Sequence, residues 1–257
     1  MPRITEQVHA LLRDVVRPGE TVVDATAGNG HDTLFLAQLV GPEGRVIAFD
    51  CQEIAIGNTA RKLAEHDWHN VSLVLGSHAD LDKHLTAPVA AVTFNLGYLP
   101  GGDHARITMA DSTRSAITSA CRHLRPGGII TIVAYVGHPG GREEAEAVAE
   151  LCEDLPKPPF TVDQQRGLSE NSPRLTVIRL RGKDGTMNIN LKPGRYRHFK
   201  GNEYEVIGVA RHSETMEAMV VYRMVGAAAS LWVRPLDMFI EHVERDDYSG
   251  PRFVSIS

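Results

Sequence analysis

No apolar run in the 257-residue chain approaches the roughly 20 residues that a membrane-spanning helix needs. The first residues, Met-Pro-Arg-Ile-Thr-Glu, carry no apolar core of a secretory leader, so none is expected. Cysteine is scarce: Cys51, Cys121 and Cys152 are odd in number and far apart. They make neither a disulfide framework nor a CxxC metal site, and a reducing cytoplasm is the expected location. No metal is expected either. Basic residues are in deficit, 27 Lys and Arg against 32 Asp and Glu, for a net charge of -5. That balance argues against a protein held on nucleic acid by bulk electrostatics, while an RNA contact through one local patch remains open. A cut near Lys183 leaves neither part basic. Internal repeats and low-complexity linkers are absent.

What is present is a regular alternation. Residues 4–16 bring Ile4, Val8, Leu11, Leu12 and Val15 to one helical face, and Arg17-Pro-Gly-Glu20 ends that helix. Short apolar strands are then expected at 21–24, 45–49, 71–75, 89–94 and 128–134. Helices are expected between and after them at 32–39, 53–65, 80–85, 112–123 and 142–152. Two successive strands at 160–165 and 175–180 suggest a closing antiparallel hairpin. This order predicts an α/β fold: a Rossmann-like, doubly wound sheet of seven strands covered on both faces. It resembles the element order of class I methyltransferases. From about 188 the pattern turns to short strand-like runs with turns at Lys192-Pro-Gly194 and Lys200-Gly-Asn202. The expected division is a domain over 1–183 and a small, mainly β domain over 188–245.

The loop Asp24-Ala-Thr-Ala-Gly-Asn-Gly30 sits where the first strand gives way to a helix. Glycines there let a ligand approach the backbone, and doubly wound sheets bind ligands at such strand ends. The spacing is not that of a GxGxxG dinucleotide loop. It resembles the acidic-glycine loop of methyltransferases, which makes Asp24, Thr26, Gly28 and Asn29 candidates for holding S-adenosyl-L-methionine. Asp50 ends the second strand, where a carboxylate can accept both hydroxyls of a ribose.

With their flanks included, four segments resemble one family, the putative rRNA methylases. They are Asp24 to Thr33, Ala48-Phe-Asp-Cys-Gln52, Ser77-His78 and Phe94-Asn-Leu-Gly-Tyr-Leu-Pro-Gly-Gly-Asp103. The resemblance covers residues 1 to 182. It implies that Asn29, Asp32, Asp50, Gln52, Ser77 and His78 contact the cofactor. Bacterial members of that family methylate the aminomethyl group of 5-aminomethyl-2-thiouridine at the tRNA wobble position, so the implied partner is the anticodon region of tRNA; a homodimer is compatible with this. One departure is His104-Ala105, where some relatives carry Lys and Ser. The region after Gly194 resembles a small domain of unknown function.

The segment Asn95-Leu-Gly-Tyr98 resembles the Asn/Asp-Pro-Pro-Tyr motif of enzymes that methylate amino nitrogens. An amine needs acceptors for its hydrogens so that its lone pair faces the methyl group, and the Asn95 oxygen and Leu96 carbonyl are suited to that. Tyr98 can stack on a base. An alkylamine is mostly ammonium at neutral pH and must lose a proton, for which Asp103, His104, His78 and His138 are the candidates. Asn95, Tyr98 and Asp103 are therefore the expected catalytic residues. Arg195, Arg197, His198 and Lys200, interleaved with Tyr196 and Phe199, read equally well as an RNA contact or as an alternating β-strand. Trp232 and Phe239 read as core of the small domain. The rival functional readings are a small-molecule N- or O-methyltransferase and a non-catalytic cofactor- or RNA-binding module.

Overall fold

The computed structural model describes residues 3–97, 108–166, 169–182, 191–213, 218–226, 230–245 and 248–256. The chain divides into two units, Met1–Arg181 and Gly182–Ser257.

The first unit is built on seven strands: β1 (Thr21–Asp24), β2 (Arg45–Asp50), β3 (Val71–Leu75), β4 (Val89–Leu96), β5 (Leu124–Ala134), β6 (Phe160–Arg166) and β7 (Arg174–Leu180). Their order in the sheet is β3-β2-β1-β4-β5-β7-β6. The first five run parallel, and β7 lies antiparallel between β5 and β6. Among the described residues five α-helices accompany them: α1 (Ile4–Val15), α2 (His31–Val40), α3 (Glu53–Glu65), α4 (Ala110–His123) and α5 (Gly141–Asp154). The expected segment at 80–85 is a 3-10 helix over His78–Lys83, started by the Ser77 hydroxyl, which accepts the Ala79 N–H at 3.1 Å.

Continuous apolar runs such as Val46 to Phe49 and Val89 to Val92 mark strands covered on both faces. Val8, Leu12 and Val15 of α1 join Leu36 and Val40 of α2 against one face. Ile117 and Ala120 of α4 and Val148 of α5 cover the other. The chain order reverses at β1, whose neighbours are β2 and β4. A crevice therefore opens at the carboxyl ends of these strands, and the candidate residues Asp24, Asp50 and Asn95 stand at those ends.

The second unit is a five-stranded antiparallel sheet in the order β11-β10-β9-β8-β14, with a two-stranded ribbon of β12 and β13. The strands are β8 (Gly194–His198), β9 (Glu203–Arg211), β10 (Ala218–Met224), β11 (Trp232–Pro235), β12 (His242–Arg245), β13 (Tyr248–Pro251) and β14 (Phe253–Ser255), with a short α6 (Leu236–Ile240). β14 pairs with β8, so the sheet draws on residues beyond 245. Tyr196, Val206, Val220, Tyr222, Phe239 and Phe253 form its core, with Phe239 and Phe253 stacked at 3.9 Å.

Strand alternation accounts for the basic-aromatic run in β8. Tyr196 turns inward and its hydroxyl donates to the Lys192 carbonyl, while Arg197 turns outward onto Glu203 at 2.9 Å. Phe239 is core, as expected. Trp232 is not: it is 53% exposed, because β11 is an edge strand with one neighbour.

Candidate active site

A cleft of about 1270 Å³ lies over the carboxyl ends of β1, β2 and β4. Its walls include Thr26, Gly28, Asn29, Asp32, Asp50, Gln52, Ser77, His78 and Asn95. All nine, singled out from the sequence, thus share one cavity. Asp24 is not among them. Tyr98, Asp103 and His104 lie outside the described residues.

Asp24 is fully buried behind the loop that it starts. Its carboxylate receives the Thr33 hydroxyl at 2.6 Å and the Thr26 N–H at 3.2 Å, so it ties the loop to α2. Burial, helped by the charges of Asp32 and Asp50 and opposed by those two hydrogen bonds, pushes its carboxyl up to about 7. Gly28 and Gly30 carry φ of 55° and 76°, a left-handed backbone that glycine adopts without strain. A Cβ on Gly30 would stand 2.9 Å from the Thr59 backbone, so α3 packs directly on the loop. From α3, Thr59 donates to the Gly28 carbonyl at 3.1 Å and Asn58 to the Asn29 side chain at 3.0 Å.

Asp50 accepts the Gly28 N–H on one oxygen and the Gln52 N–H on the other, each at 2.9 Å. Each oxygen keeps a lone pair, which suits two vicinal hydroxyls. The His78 Nδ1 faces the Ala25 carbonyl at 3.2 Å. A carbonyl only accepts, so Nδ1 carries the proton and Nε2 is a bare acceptor, buried and without a partner among the described residues. Burial holds this imidazole below the usual histidine range, against the opposing pull of Ala25 and Asp50. A neutral acceptor at the cleft wall suits the exocyclic amine of an adenine. The left-handed glycines, the ribose-type carboxylate and this orphan acceptor together fit an adenosine-bearing cofactor.

On the acceptor side, the Asn95 backbone N–H donates to the Thr26 hydroxyl at 2.7 Å, which joins the end of β4 to the cofactor loop. The Asn95 side-chain amide donates to Asp32 at 2.7 Å. Tyr135, Gly137, His138 and Asn171 complete this wall. Burial and the charge of Asp32 raise the Tyr135 hydroxyl above its ordinary value.

Three contributors escaped the reading of the sequence. His9 of α1 lines the cleft and bonds Asp32 at 2.7 Å. Its distance of 23 residues from Asp32 leaves no local pattern; the only signal is a histidine beside the apolar stripe of α1. Thr108 exchanges two hydrogen bonds with Gly97: its N–H donates to the Gly97 carbonyl at 3.1 Å, and its hydroxyl accepts the Gly97 N–H at 2.9 Å. Glu144 of α5, itself buried, accepts the hydroxyls of Thr108 and Thr113. Burial raises its carboxyl, with the two hydroxyls opposing.

Residues 46–179, just over half of the chain, match the family described as putative rRNA methylase. The chain belongs to that family. A putative rRNA methylase of Clostridium thermocellum shares 42% identity and a TM-score of 0.68, over 70% of this chain and 98% of its own. A putative methyltransferase of Streptococcus mutans, solved in complex with SAH, shares 35% identity and a TM-score of 0.64, over 70% and 99%. The chloroplastic tRNA (mnm(5)s(2)U34)-methyltransferase of Arabidopsis thaliana is 42% identical over 60% of this chain, and the chain spans 60% of that relative's length. Residues 194–255 match a second family, described as a protein of unknown function, DUF1653. The share of this chain that the two solved relatives cover, 70%, is about the length of its first unit.

Proposed function

We propose that this family member transfers a methyl group from S-adenosyl-L-methionine to the aminomethyl nitrogen of 5-aminomethyl-2-thiouridine at the wobble position of tRNA. The observation that carries the reading is that the Asp24–Gly30 loop, Asp50 and Asn95 open on a single cleft. The name of the Arabidopsis relative supports the substrate. The SAH complex of the Streptococcus mutans relative supports the cofactor.

Gly28, Asp50, Gln52 and His78 would hold the cofactor. When bound, it would supply a methyl group on a positively charged sulfur for the neutral amine's lone pair to take, the C–S electron pair staying with sulfur and the amine's surplus proton passing to water. The protein's part is alignment. The Asn95 oxygen would accept an amine hydrogen and turn the lone pair towards the methyl group; the Leu96 carbonyl, expected to share that task, instead receives the Tyr135 N–H at 3.1 Å, and Leu96 is not among the cleft-lining residues. Holding two reactants in line is worth up to roughly 7–11 kcal/mol of barrier.

The test incubates the protein with cofactor and tRNA carrying the unmethylated aminomethyl nucleoside, followed by mass analysis of the nucleosides. A gain of one methyl on that nucleoside is expected. No gain removes this substrate while leaving the cofactor reading to calorimetry with SAH. The acidic net charge favours a second reading, a small-molecule N- or O-methyltransferase. Methylation of a free amine or hydroxyl without any tRNA footprint would select it.

A further inference from the structure

We infer that His9 and Asp32 form a positioning pair that locks the Asn95 amide with its carbonyl oxygen towards the cleft, and that this makes the site select an acceptor that donates a hydrogen bond, as an amine does. The inference deepens the proposed function and rests on its reading of Asn95 as the residue facing the amine.

Ionised Asp32 only accepts hydrogen bonds. Its Oδ2 lies 2.7 Å from the Asn95 side chain, so the atom facing it must be the NH2 group. The Asn95 oxygen is thereby turned away from Asp32. A flipped amide would set oxygen against oxygen and forfeit a charge-assisted bond. The backbone of Asn95 is fixed separately, through its N–H on the Thr26 hydroxyl. With backbone and amide both held, a cleft that could present either a donor or an acceptor presents an acceptor. An amine matches that polarity, and a group that offers only lone pairs does not.

Asp32 is held in turn. Its Oδ1 lies 2.7 Å from His9 Nε2, which must be the protonated nitrogen for the same reason. The His9 ring is fixed from its other side by stacking on Phe35 at 3.7 Å with the planes 6° apart, and the Arg13 guanidinium sits 5.0 Å from that same Phe35 ring. Both partners of the pair are mostly shielded, with side chains 20% and 16% exposed. The hydrogen bonds of His9 and Asn95 hold the Asp32 carboxyl low although burial alone would raise it. Asp32 thus stays a carboxylate, the form the lock needs. Three elements, α1, α2 and β4, meet in this chain of contacts.

Two measurements test it. Heteronuclear NMR of the full-length protein, with the Asn95 side-chain amide assigned by its loss in Asn95→Asp, should show one strongly hydrogen-bonded amide proton. That signal should lose its shift in Asp32→Asn, and the imidazole of His9 should be the Nε2–H form. In methylation assays, His9→Leu should lower kcat roughly tenfold to a hundredfold, the worth of one charge-assisted hydrogen bond, with KM for tRNA and SAH affinity little changed. His9→Gln, which keeps an N–H donor at similar reach, should recover most of that loss. An Asn95 amide signal indifferent to Asp32→Asn overturns the pair, and so does a His9→Gln as impaired as His9→Leu. If the wild type methylates no aminomethyl nucleoside, the proposed substrate fails and the spectra alone decide the lock, for or against.

Discussion

A carboxyl group cut off from water keeps its proton well above the pH at which a solvated one lets go. Asp24 is such a group, pushed up to about 7 from 3.8. The folded protein therefore binds a proton that the unfolded chain releases above about pH 4. Its contribution to stability is complete below 3.8 and is lost as the pH rises through about 7. Asp24→Asn stays neutral at every pH, and its side-chain oxygen can still accept the Thr26 N–H. Chemical denaturation should find this variant more stable than wild type by a few kcal/mol near pH 8, with the gap closing towards pH 4. A wild-type stability that stays flat between about pH 5 and 8 would sink that account. Gly30 makes a different demand. Its φ is 76°, and a methyl group placed there would meet the Thr59 backbone at 2.9 Å. Gly30→Ala is therefore expected to cost roughly 2–4 kcal/mol and to weaken SAH binding in calorimetry. A fully stable Gly30→Ala would mean that α3 can give way, contrary to its two hydrogen bonds on the loop.

Elements differ in how plainly their residues announce them. The central strands of the first sheet are mostly apolar because both faces are covered, and the helices between them carry one apolar stripe each; both patterns are visible in a bare sequence. Asp50 and Asn95 could be found because strand ends are where such sheets bind ligands. Other features stayed hidden. The helix expected at 80–85 was visible, but its start at His78 and its 3-10 winding were not. β12 to β14 are three or four residues long and half polar, so nothing separates them from loop until pairing supplies their partners. Trp232 looked like core because its type usually is, and edge position overrode type. His9 and Glu144 act through residues 23 and 36 positions away, across contacts that only folding creates. Glu144 also yields a prediction at this scale. Glu144→Ala leaves the Thr108 and Thr113 hydroxyls without their acceptor and frees the junction of α4 and α5. A loss of roughly 2–4 kcal/mol is expected in denaturant unfolding, together with a raised KM for tRNA and an unchanged affinity for SAH. If SAH binding falls in parallel, the contact serves the cofactor side instead.

At the scale of the molecule, the two units have separate cores. The Clostridium thermocellum and Streptococcus mutans structures each cover about the extent of the first unit and are nearly spanned by it. We therefore expect residues 1–182, produced alone, to unfold cooperatively and to bind SAH with an affinity close to that of the full chain. Calorimetry on the fragment checks this, and a fragment that fails to fold would tie the second unit to the stability of the first. The reciprocal bonds between Gly97 and Thr108 have a consequence for how such a protein diversifies. Gly97, just past β4, and Thr108, just before α4, are held together at one stitched point on the cleft wall. Lengthening a closed loop is cheap, about 0.6 kcal/mol for each doubling. A chain of another length spliced between Gly97 and Thr108 is therefore expected to leave the cofactor half undisturbed, which makes the seam a natural graft point for redesign.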